Sequence, residues 1–92
     1  MPKYLIANLD EGVYRLRVEL PNEVAQFTFM HFEGMYKILT YAFLPIGSAK
    51  SNLFKTIGGW KEISAEKALP IVESGMQKYQ EMMLELKPSR VL

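Results

Sequence analysis

The chain predicts an α+β protein: a four-stranded antiparallel β-meander, extendable to five or six strands, with one C-terminal amphipathic helix packed on one face. Three observations predict it. Apolar and polar residues alternate from Val13 to Leu20, the period of a half-buried strand. Turn-forming clusters recur at Asp10-Glu11-Gly12, Pro21-Asn22-Glu23 and Glu33-Gly34, between runs that read as strands. Leu69, Val72, Met76, Tyr79, Met83 and Leu86 recur at steps of 3, 4, 3, 4 and 3, which is one stripe of a helix.

The first strand is Lys3 to Leu9. A three-residue loop ending at Gly12 suits a type I turn followed by a left-handed residue. It sets Tyr4 and Ile6 beside Val18 and Leu16, and Lys3 beside Glu19. In the second strand Tyr14, Leu16, Val18 and Leu20 share a side, with Arg15, Arg17 and Glu19 on the other. At Pro21-Asn22-Glu23 a three-residue loop would bring Gln26 and Thr28 against Val18 and Leu16. An even loop brings Ala25, Phe27 and Phe29 there instead. A slip of one residue exchanges the faces of a strand, so the even loop is preferred. A two-residue loop at Glu33-Gly34 then sets Phe29 opposite Ile38 and Phe27 opposite Thr40. The rival reading, one helix over Asn22–Leu44, places Gly34 in a helix interior at a cost of about 1 kcal/mol relative to Ala. The β-branched and aromatic residues also favour strand.

Pro45–Asn52 reads as a loop. Leu53–Ile57 and Trp60–Ile63 flank Gly58-Gly59 and suggest a short hairpin, with a short helix at Leu53–Ile57 as the alternative. Ser64 is the expected N-cap of the C-terminal helix, with Glu66 in its first turn. Pro70 lies too deep for a first turn, so the helix either kinks there or begins at Pro70 after a short turn. Gly75 weakens the helix or permits close packing on the sheet. Pro88 is expected to end it.

The 92 residues form one expected domain, 1–92. Its parts are a meander at 1–45, a loop and short hairpin at 46–63, a helix at 64–87 and a tail at 88–92. Apolar residues at 49% with a net charge of +1 exclude a disordered chain. The absence of cysteine excludes disulfides, iron–sulfur clusters and thiolate zinc sites. No cofactor and no metal are expected. The longest apolar stretch, Phe27–Ile46, is broken by His31, Glu33 and Lys37, short of the roughly 20 residues a membrane helix needs. Asp10, Glu11 and Arg15 interrupt any early signal-like run, so a cytoplasmic location is expected.

Candidate chemistry is sparse. Gly47-Ser48-Ala49-Lys50-Ser51 has one glycine where a phosphate loop needs two at fixed spacing, so it reads as a solvated loop. His31 is the one histidine. A general base needs an orienting carboxylate or a nucleophile nearby, and the register places His31 near Tyr14 and Tyr36 at a sheet end, so it reads as a structural or surface residue. Ser48, Ser51 and Ser64 lack the glycine elbow of a serine hydrolase. The carboxylates form no pair across a cleft of the kind glycosidases need. An enzyme is therefore the third reading. The second is a nucleic-acid contact through Lys50, Lys55, Trp60 and Lys61, with Phe54 interleaved, since cations beside aromatics hold single strands. Residues 47–92 carry seven basic and five acidic groups, a smaller surplus than dedicated binders show.

The preferred reading rests on the second sheet face. If the strands alternate without interruption, Ala25, Phe27, Phe29, Ile38 and Ala42 face the helix. Val24, Met30, Phe32, Met35, Leu39, Tyr41 and Phe43 face away, diluted only by Gln26, Thr28 and Lys37. A sheet covered on one face normally carries polar residues on the other. Either the 53–63 segment folds over this face, or the sheet curls, or it is an exposed apolar patch of the kind that marks interfaces. The expectation is a non-enzymatic protein–protein interaction module, an adaptor, inhibitor or accessory subunit. It would self-associate as a homodimer, or bind a larger partner, through Met30, Phe32, Met35, Leu39, Tyr41 and Phe43.

Overall fold

The computed structural model of this chain describes residues 2–55 and 58–91, with side chains for 2–52 and 58–81. Four strands follow one another as β1 (Lys3–Asp10), β2 (Val13–Glu19), β3 (Glu23–Phe32) and β4 (Met35–Pro45). Then come α1 (Ala49–Lys55), β5 (Lys61–Ile63) and α2 (Ala65–Val91). The sheet is antiparallel in the order β4-β3-β2-β1-β5. The α+β class and the meander are as the alternation predicts.

The turns set the registers. Tyr4 pairs with Val18, Ile6 with Leu16 and Lys3 with Glu19. At this first turn Asp10 pairs with Val13, and the extra residue is taken up by a register shift between Asn8 and Asp10 rather than by a third loop residue. Leu20 N–H donates to the Glu23 carbonyl at 2.9 Å, so the second loop is the two-residue Pro21-Asn22. It places Ala25 and Phe27 against Val18 and Leu16, as the even loop requires. At the third turn Glu33 and Gly34 have φ of 51° and 73°. Positive φ at both central residues is the type I′ hairpin turn.

One face of the sheet holds the main core. Leu16, Val18, Ala25, Phe27, Phe29 and Ile38 pack there against Ala68 and Ile71 of α2. Ser64 caps that helix as expected. Its Oγ accepts the Lys67 N–H at 3.3 Å, and its carbonyl accepts the Ala68 N–H at 3.1 Å. The helix is continuous from Ala65, so Pro70 does not start it. The Glu66 carbonyl loses its amide donor at Pro70, and both residues are exposed, so water can supply the bond. The helix also runs through Pro88 to Val91. A proline there removes one backbone bond in the last turns without stopping the chain, and the expected tail at 88–91 is helical. Of the predicted stripe, Leu69 is 48% exposed and its place against the sheet is taken by Ala68 and Ile71, while Met83 and Leu86 lie outside the described side chains. Gly75 is the point of closest approach: a Cβ built on it would overlap the Phe27 ring.

The expected Gly58-Gly59 hairpin does not form. The 49–55 stretch is helical, as the alternative at Leu53–Ile57 allowed and against the loop expected through Asn52. Strand β5 pairs with β1 instead, Tyr4 with Ile63 and Ile6 with Lys61. Thr56 and Ile57 lie outside the described residues. Since β4 and β5 occupy opposite edges, the chain between them must cross about 19 Å of sheet, four strand spacings of ~4.8 Å. Its described part, the start of α1, lies on the face away from α2. Ser48 caps α1, its Oγ accepting the Ser51 N–H at 3.2 Å, and Ser51 then meets Arg17 of β2.

Candidate interaction surface

The second face divides into a covered end and an open end. At the covered end Leu5, Arg17 and Gln26 form one cross-strand row. All three are buried, with Ser51 and Val24 beside them. Arg17 is 2% exposed, although alternation assigned it to the polar side. Its Nη1 donates to the Ser51 carbonyl at 3.1 Å and its Nη2 to Ser51 Oγ at 3.0 Å. Its Nε donates to Glu19 Oε2 at 3.0 Å. A buried cation persists only when paired and hydrogen-bonded, and these three contacts meet that condition. The crossing segment is thus fastened to the sheet. Gln26 Oε1 is the one buried side-chain polar atom without a partner among the described residues.

One row further along, Arg15 Nε donates to Thr28 Oγ1 at 3.1 Å. Beyond it Val13 pairs with Met30, Met30 with Lys37, and Phe32 with Met35. This end is open. Phe32 is 48% exposed, Met35 66% and Leu39 43%, and Met30 is half-buried.

Tyr41 and Phe43 do not belong to this surface. The β3–β4 register shifts at Leu39: Phe29 pairs with Ile38 but Thr28 with Thr40, Phe27 with Tyr41 and Ala25 with Phe43. An extra residue in one strand reverses the faces of everything beyond it. Tyr41 and Phe43 therefore turn to α2 and pack edge-on against Tyr79, with ring centroids 5.2 and 5.1 Å apart. Phe43 also meets Phe27. By the same shift Ala42 leaves the helix side and pairs with Gln26 on the second face. The sequence signal for the bulge is the adjacent apolar pair Ile38-Leu39 followed by Thr40, where strict alternation fails.

The basic–aromatic group is spread over two elements. Lys50 is exposed on α1, Lys61 is exposed on β5 beside Glu62, and Trp60 is half-buried. The Lys55 and Phe54 side chains lie outside those described. No three His, Asp or Glu side chains come together in a metal-binding group among the described residues. No helix among them is long and apolar enough to cross a membrane. The chain matches no family model, no curated protein and no solved structure.

Proposed function

We propose that this chain is a non-enzymatic interaction module that self-associates through the open end of its second sheet face. The observation that carries the reading is the exposure of Phe32, Met35 and Leu39 together at one hairpin. Exposed apolar surface forfeits about 25 cal/mol for each Å² that a partner could bury. The occupant is a second copy: a two-fold contact sets the same patch against itself, and this patch is apolar apart from Lys37. The lysine stem can lie along the contact with its ammonium at the rim. Contact by the face is favoured over contact by the open edge of β4. Lys37 and the bulge at Leu39 interrupt that edge, and both features discourage edge-to-edge pairing. Phe32 is the aromatic anchor of the patch, because aromatic residues dominate interface energetics, and Tyr41 faces α2 instead.

Sedimentation velocity over a range of concentrations tests the reading. The wild type should pass from monomer to dimer, and Met35→Asp should remain a folded monomer throughout. A wild type that stays monomeric at every concentration contradicts it.

A further inference from the structure

The face under α2 holds a second site, independent of the dimer surface. Strand β3 has ten residues, about 33 Å at ~3.3 Å each, whereas a helix is only about 10 Å across. One helix therefore leaves sheet uncovered on both of its flanks. On the flank toward Phe43 and Met76 the space is about 290 Å³, just below the range of ligand sites. On the other flank it is about 600 Å³, within the ~300–1,000 Å³ typical of them.

The larger trough is aromatic. Tyr14 and Phe29 lie nearly parallel, 5.7 Å apart at 25°. Tyr36 stands at 75° to Phe29 and stacks on His31 at 4.6 Å and 15°. His31 is exposed, so the stack ends at solvent. The opposite wall is apolar, from Ile63, Pro70 and Ile71. At the rim stand Glu66 and Lys67, whose side chains have no hydrogen-bond or ion-pair partner among the described residues.

We propose that this trough binds a planar aromatic small molecule carrying an anionic group and an N–H or O–H donor. The ring extends the Tyr36–His31 stack, because ring-on-ring stacking prefers the offset parallel geometry that this pair already shows. Lys67 meets the anionic group, and the Glu66 carboxylate accepts from the donor. An aliphatic anion would satisfy Lys67 but leave the ring face unused, so the site discriminates by planarity.

The probe is 8-anilinonaphthalene-1-sulfonate, which combines a fused aromatic ring, a sulfonate and an anilino N–H. Titrated into the full chain, it should show saturable one-to-one binding by fluorescence. Amide resonances of Tyr14, Phe29, Tyr36 and Lys67 should shift. His31→Ala, at an exposed position that leaves the core intact, should weaken binding at least fivefold, the lower end of stacking losses on alanine substitution. Octyl sulfate should bind at least fivefold more weakly than the dye. Leu39→Asp, remote from the trough, should leave the affinity unchanged. The proposal is overturned if the wild type shows no saturable binding, or if the shifts fall on Phe32, Met35 and Leu39 instead. It is equally overturned if His31→Ala binds as the wild type does, or if octyl sulfate binds as tightly as the dye.

Discussion

Arg17 and Gly75 are the two single residues on which the packing of the helices turns. Arg17 ties α1 to the sheet through both groups of Ser51. Arg17→Ala should cost about 3 kcal/mol of stability in denaturant unfolding, the loss typical of breaking a buried charged pair. Arg17→Lys should recover only part of it, because an ammonium cannot reproduce the planar fork. Gly75→Ala should cost about 1–3 kcal/mol, the penalty of overpacking, although alanine is the better helix former. If Gly75→Ala instead stabilises the chain, the Phe27 contact is wrong. Gly75 was legible as a close-packing candidate because it is a glycine inside the helix, beside the stripe residue Met76. Arg17 was not: alternation records which side a residue takes, and its cover arrives from a segment 34 residues away.

Among the elements, the registers of β1 to β3 and the start of α2 at its Ser64 cap follow directly from local chemistry, whereas α2 runs on past Pro88 against the local signal. The Glu33-Gly34 turn, the even loop at Pro21-Asn22 and the Ser64 cap each have one favoured geometry, and the registers follow from them. The far half of β4 escapes that logic, since a bulge at Leu39 costs one residue of register and exchanges the faces of Tyr41 and Phe43. The β5 pairing also escapes it, because Gly58-Gly59 looks local while the available partner is β1. The bulge makes a sharp prediction about monomer stability, measured by thermal or denaturant unfolding of dilute protein. Tyr41→Ser should cost about 2–4 kcal/mol, as truncation of packed aromatics does, and Phe43→Ser less, because Phe43 keeps 37% exposure beside Tyr79. Phe32→Ser should stay within about 0.5 kcal/mol, as exposed substitutions do. If Phe32→Ser proves as costly as Tyr41→Ser, the faces of β4 have been assigned wrongly.

At the scale of the whole molecule, one sheet carries two unequal covers. Helix α2 shields the aromatic face, and the crossing segment shields one end of the other. What neither reaches is the end of the β3–β4 hairpin, and that remainder is the candidate site. Of the six residues that sequence alternation assigned to it, Met30, Phe32, Met35 and Leu39 stay, while Tyr41 and Phe43 turn to the α2 face, where Tyr41 is half-buried and Phe43 keeps 37% exposure. The measurement that tests self-association most directly is sedimentation equilibrium of the wild type beside Met35→Asp, with both confirmed folded by circular dichroism. The account predicts a concentration-dependent dimer for the wild type and a monomer at all concentrations for Met35→Asp. A wild-type monomer throughout, or a Met35→Asp dimer as tight as the wild type, would contradict it.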